Sequence, residues 1–306
     1  MNLFPTKILV ASDGSEQAEL VVRTAVELAE KTGSELHMVH VLALPLGPLP
    51  DYPYSPDTEL QEEIEQTARA EFEGLVERIR SSGRAVDAAH FRVGRPDAQI
   101  VEQAEEIRAG LIVVGNRGFG AIRRALIGDV SHSVVKHAHC PVMVVRGESV
   151  VFPTKILLAT DTSREAKLAA NTAIDLANST NSELHVVHVA RLAPVFATEP
   201  EIEARTDQAV SAARGRLDEE AEQIRAAGGS IAEVHLEVGR PDEGVVHLAE
   251  DLGTGLIVMG SRGLGGIRRA LLGRVSDSVV RHAPCPVIVV RPEKERATEH
   301  EADLLT

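Results

Sequence analysis

What most narrows the fold of this 306-residue chain is an internal duplication. Phe-Pro-Thr-Lys-Ile begins at Phe4 and again at Phe152, and Ser-Glu-Leu-His begins at Ser34 and again at Ser182, both with an offset of 148. Val-Gly-Arg-Pro-Asp at Val93 returns at Val238, and Gly115 returns as Gly260, both with an offset of 145. The second copy has therefore lost three residues, in the loop after its second strand. A chain of this length can hold two ordinary domains with full cores. The expected division is 1–148, 149–293 and a charged tail, 294–306.

Each copy reads as strands alternating with helices. Lys7 to Ala11 is aliphatic enough for a strand buried on both faces. Ser15 or a neighbour caps a helix with Leu20, Val21, Ala25, Leu28 and Ala29 on one face, and Gly33 lies beyond its end. Leu36 to Leu42 is a second strand, followed by a proline-rich loop to Asp57 and a charged amphipathic helix over 58–81. A third strand spans 88–93, and Pro96 opens the next helix. Leu111 to Val114, a helix from about Val130 to Ala138, and Val142 to Val145 complete the copy, which recurs over 155–290. Strictly alternating strands and helices demand a parallel sheet with right-handed crossovers and helices on both faces. The fold class expected is α/β, two tandem doubly wound domains each with a five-stranded parallel sheet. The apolar last strands, Val142 to Val145 and Val287 to Val290, would otherwise be edges liable to pair, and only Gly147 to Val151 separates the copies, so the two halves are expected to pack on each other.

Between the fourth strand and the last helix lies Gly-x2-Gly-x9-Gly: Gly115, Gly118 and Gly128, then Gly260, Gly263 and Gly273. A strand that empties through glycines into a helix N-terminus suits an anion, because unpaired amides and the positive dipole end point at it. It is not a Walker loop, since no Gly-Lys-Ser/Thr follows, and it is not the dinucleotide fingerprint. Ligands of open parallel sheets bind beyond the carboxyl ends of the strands at the point where strand order reverses. In the first copy the ends of strands one and four, at Asp13 and Gly115, are where such a ligand would sit.

Together with Val-Ala-Ser-Asp-Gly-Ser at 10–15 and Leu-Ala-Thr-Asp-Thr-Ser at 158–163, these loops resemble the ATP-binding branch of the universal stress protein family, in its tandem form. The resemblance implies an adenine nucleotide alpha hydrolase-like fold, an ATP site in each copy and, by analogy with the family's dimers, pairing of Val142 to Val145 with Val287 to Val290 inside one chain. In the first copy it would be formed by Ala11, Ser12 and Asp13, by Val41 against adenine, and by Val114, Gly115, Arg117 and Gly118. Gly128, Asp129, Val130 and Ser131 would complete it at the helix start. The corresponding residues of the second copy are Ala159, Thr160, Asp161, Val189, Met259, Gly260, Arg262 and Gly263, with Gly273, Arg274, Val275 and Ser276. Asp13 and Asp161 would lie near ribose or a phosphate-bound Mg²⁺, a hard cation that takes oxygen ligands. The alternative is that each aspartate only caps the first helix.

One departure from the family pattern has consequences. Ser or Thr normally follows the third glycine, whereas Asp129 and Arg274 stand here. An ionised aspartate offers only acceptors and repels phosphate, while arginine donates charge-assisted bonds. Unequal occupancy is expected, the second copy holding ATP more tightly. Ser131 and Ser276 remain as hydroxyl sources, and the double arginines Arg123/Arg124 and Arg268/Arg269 fit phosphate compensation or a solvated loop equally.

Composition excludes other classes. A net charge of −14 opposes coating of nucleic acid or anionic membrane, and 3% aromatics leaves no base-stacking platform. The start MNLFPTKILV lacks the charged and apolar regions of a signal peptide, so a cytoplasmic protein is expected. Cys140 and Cys285, each before a proline, read as packed thiols rather than a disulfide. His37/His40 and His185/His188 lie three apart on strands, hence on opposite faces, and read as core histidines rather than metal ligands. No catalytic triad or carboxylate dyad emerges, so the chain is expected to be no enzyme, or a slow ATPase at most. The leading reading is an ATP-binding stress-response regulator, with association of two chains as a further expectation. A nucleotide-free dimerisation module is the alternative. An adenylating enzyme is a weaker one, for want of a pyrophosphate loop after Val10 and Leu158.

Overall fold

The computed structural model describes residues 4, 6–43, 58–116, 128–146, 154–191, 199–263 and 272–292. The proline-rich loop, the linker between copies, Arg117, Gly118, the double arginines and the C-terminal tail lie outside these described residues.

The first copy runs β1 (Lys7–Ala11), α1 (Glu16–Thr32), β2 (Glu35–Leu42), α2 (Thr58–Ser81), β3 (Ala88–Val93), α3 (Pro96–Ile107), β4 (Leu111–Gly115), α4 (Asp129–His137) and β5 (Val142–Val145). The second runs β6 (Lys155–Ala159), α5 (Arg164–Thr180), β7 (Glu183–Ala190), α6 (Glu199–Ala226), β8 (Ile231–Val238), α7 (Pro241–Leu252), β9 (Leu256–Gly260), α8 (Arg274–His282) and β10 (Val287–Val290). Local chemistry sets the helix starts. Ser15 and Ser163 accept from the amides of Ala18 and Ala166, and Pro96 and Pro241 open α3 and α7.

Within each copy the strands are parallel, in the order β3-β2-β1-β4-β5 and its equivalent, so the order reverses between β1 and β4 and between β6 and β9. The two sheets are one. β5 runs antiparallel to β10, with Val287 opposite Val144 and Val289 opposite Val142, giving ten continuous strands. Central strands buried on both sides explain the unbroken aliphatic runs. One face is covered by α1, α2, α5 and α6, with Leu28, Phe72, Leu176 and Leu217 in its core. The other is covered by α3, α4, α7 and α8 through Ile100, Val134, Val245 and Val279.

A pseudo-twofold axis relates the copies, and contacts cross it in matched pairs. Arg146, after β5, donates to the carbonyl of Val280 in α8, and Arg291, after β10, donates to the carbonyls of Val135 and Lys136 in α4. A guanidinium at a helix C-terminus meets unpaired carbonyls and the negative dipole end. No helix among the described residues is long and apolar enough to cross a membrane.

Candidate functional site

The two motifs of each copy meet at the reversal point, and the second copy shows how. Asp161 follows β6; its Oδ1 accepts the amide of Ser163 at 3.0 Å, closing a turn into α5. Its Oδ2 turns the other way, toward the loop after β9. A Cβ added to Gly263 would stand 2.0 Å from that oxygen, so only glycine permits the approach. Gly260 is constrained likewise, since a Cβ there would meet the Glu165 backbone at 2.9 Å. In the first copy Asp13 Oδ1 accepts from the amide and hydroxyl of Ser15, at 3.1 and 2.7 Å. The helix N-cap is the serine in both copies, and each aspartate instead closes the turn that leads into it.

The backbones around these aspartates are held from the neighbouring strands. The amides of Ser12 and Thr160 donate to Val39 and Val187. His40 and His188 place Nδ1 2.9 Å from the carbonyls of Ser12 and Thr160, and since a carbonyl only accepts, each Nδ1 carries the proton. His188 is buried and His40 is half-buried against Phe72 and Phe91, and both brace the backbone that follows β6 and β1. Ala11 and Ala159 end β1 and β6. Val114 with Gly115, and Met259 with Gly260, are paired to β5 and β10 respectively. Val41 and Val189 lie near the ends of β2 and β7, opposite Arg92 and Glu237.

At the helix starts, two groups expected to face a phosphate are engaged within the protein. Gly128 and Gly273 are N-caps, but their amides donate to the carbonyls of Asn116 and Ser261, at 2.7 and 2.8 Å. Each of these bonds ties the helix start to the segment that follows the fourth strand of its copy. The hydroxyls of Ser131 and Ser276 are committed too: Ser131 donates to the Gly115 carbonyl, and Ser276 lies 3.0 Å from the carbonyls of Gly260 and Ser261. A hydroxyl has one proton, and in this structure both serines use it to brace the strand end against the helix. What remains is the first turn of α4 and α8, where no side chain caps the amides and where Asp129, Val130, Arg274 and Val275 sit. Arg262 immediately precedes Gly263 and is near enough to Arg291 to help depress the latter's pKa, after burial.

The copies differ beneath the site. Thr160 donates to Glu220 of α6, within 2.7 Å of both carboxylate oxygens, and burial raises the Glu220 pKa, with the charge of Asp161 adding to it. The first copy has Ser12 and Leu75 at these positions. No spacing rule in the sequence marks Glu220. The repeated Val-Gly-Arg-Pro-Asp motif proves to be a clasp: Asp97 and Asp242 accept from Ser133 and Ser278 on the next helix.

His37 and His185 point to the opposite sheet face from His40 and His188, and each meets a histidine of the adjacent strand, His90 or His235, at 3.1 Å. A partner some fifty residues away in the chain is invisible to a spacing rule applied within one strand. Cys140 and Cys285 are buried free thiols, and burial pushes their pKa values up to about 12 and about 11, which suits packing.

A model of the universal stress protein family matches residues 5–146 and 153–291. A universal stress protein of Mycolicibacterium smegmatis is 31% identical over 299 residues, covering 93% of this chain and 97% of that protein. One of Mycobacterium tuberculosis is 28% identical over 309 residues, covering 93% and 96%. Among solved structures, a universal stress protein from Archaeoglobus fulgidus superposes with a TM-score of 0.70 at 25% identity, over 96% of this chain and 98% of that one.

Proposed function

The chain belongs to the universal stress protein family, and from that membership we propose that it is a stress-response regulator which binds ATP as a ligand and turns it over slowly or not at all. The observation that carries this reading is the convergence of Asp161 on Gly263 at the reversal point of the sheet, beside an uncapped helix N-terminus. In this reading the phosphates lie at the first turn of α4 or α8, where backbone donors and the positive dipole end face outward. Asp13 and Asp161 contribute a carboxylate oxygen to ribose or to the Mg²⁺ that accompanies ATP. Slow turnover is proposed because the sequence offers no convincing candidate for a general base.

The copies bind unequally. Asp129, first in α4, opposes the triphosphate, while Arg274, first in α8, attracts it. The test is calorimetry on the intact chain with Mg-ATP, together with native mass spectrometry of the purified protein. One tight site is expected. Arg274→Ala should weaken it about tenfold, Gly263→Val should abolish it, and Asp129→Ser should strengthen the weaker copy. Absence of retained or added nucleotide in the folded wild-type chain would overturn the reading in favour of a nucleotide-free interaction module.

A further inference from the structure

The second copy carries a constellation that the nucleotide reading does not use. His185 on β7 and His235 on β8, the outermost strand of the sheet, stack with ring centroids 5.4 Å apart. His185 Nδ1 lies 3.1 Å from His235 Nε2. Glu233, directly opposite His185 in the strand register and on the same face as His235, brings Oε2 to 3.8 Å from His235 Nε2. One donor atom from each of the three residues fits within a span of 4.8 Å.

We propose that His185, His235 and Glu233 form a binding site for a borderline divalent metal ion, Zn²⁺ being the species its donor set fits best. Two imidazoles and one carboxylate are the ligands such an ion takes, with a fourth position left to water. Zinc bonds of about 2.0–2.2 Å in a tetrahedron separate neighbouring donor atoms by about 3.3 Å. The imidazole pair is already at that separation, so only the exposed Glu233 side chain has to swing inward. The support behind the ligands is also present. His185 Nε2 is buried and without a hydrogen bond, and Glu183 Oε2 stands 3.6 Å from it. A carboxylate behind a ligating histidine fixes its proton on the far nitrogen and turns the other lone pair to the metal. Metal entry replaces the bond between the two rings, and the ring that donated it keeps its proton by moving it to its other nitrogen.

The first copy supplies an internal control. His37 and His90 reproduce the pair at 3.1 Å, and Glu35 stands 3.4 Å behind His37, but Ala88 occupies the place of Glu233. Two imidazoles without a third ligand hold the ion more weakly, so the site is single in each chain.

The experiment uses the untagged full-length chain, stripped with a chelator and free of nucleotide. It is titrated with Co²⁺, whose visible absorption reports tetrahedral coordination, and with Zn²⁺ in equilibrium dialysis. One equivalent is expected, with Co²⁺ displaced by Zn²⁺. Glu233→Gln, a change on the exposed surface, should weaken binding at least tenfold, and His235→Asn should remove the cobalt spectrum. His90→Asn should leave the tight equivalent intact, and Ala88→Glu should create a second one. Failure of the wild-type chain to hold one equivalent, or retention of it in folded His235→Asn protein, would overturn the proposal. The outcome is independent of ATP binding, because the ligands lie on strands β7 and β8 and none belongs to the glycine loops.

Discussion

Thr162 adopts φ 66°, a left-handed conformation that costs a β-branched residue, whereas the equivalent Gly14 adopts φ 78° without strain. The turn requires this geometry because Asp161 must hold the Ser163 amide while facing Gly263. Thr162→Gly should therefore stabilise the chain by up to about 1 kcal/mol, the relief of strain exceeding the added backbone entropy. Urea unfolding measures it, and a loss of stability would show that the threonine side chain holds the turn. At Glu220 the sign of a pH effect is fixed by its raised pKa. The folded state favours the protonated acid, so the penalty for ionising it is full above the folded pKa and vanishes as pH falls below the unfolded value. Glu220→Gln keeps a partner for Thr160 and should raise the melting temperature at pH 8 more than at pH 5. An equal shift at both values would contradict the assignment.

Among the elements, α4 and α8 show what duplication within one chain permits. They face each other across the pseudo-twofold axis, where equivalent positions meet. His132 of the first copy lies 2.8 Å from Asp277 of the second, an approach close enough for an ion pair although its angle is poor for a hydrogen bond. Two identical subunits would set like against like at this place; fusion has let the position diverge into a complementary pair. Asp277 is also held by Arg281 one turn on. A double-mutant cycle with His132→Ala and Asp277→Ala should return a coupling of about 0.5 kcal/mol, as for partly exposed pairs. A coupling of zero would mean that the arginine straps and the strands alone hold these helices together.

For the molecule as a whole, the antiparallel junction of β5 and β10 makes two domains one sheet with a continuous core on each face. Ile288 is fully buried at the centre of that junction, opposite Met143. Ile288→Ala should cost about 3 kcal/mol, and because the sheet is shared the loss should appear in both copies. Hydrogen exchange checks this: amides of β4 and of β9 should lose protection together, and loss confined to β9 would show the halves to be energetically separate.

Strand and helix order, helix caps, the duplication and the glycine loops are written locally, in periodicity and in residues with restricted backbones, and so they were legible in the sequence. The position of Asp161 beside the loop of its own copy was legible as well, because parallel order dictates which strand ends adjoin. The amides and hydroxyls actually available to a ligand were not. Gly128, Gly273, Ser131 and Ser276 had apt chemistry at apt positions, but a hydrogen is donated once, and only the folded backbone reveals that it is already taken. Glu220 against Thr160, His132 against Asp277 and the histidine pairs across neighbouring strands likewise join residues remote in the chain. Their meeting depends on strand register and helix packing, which are properties of the assembled sheet rather than of any stretch within it.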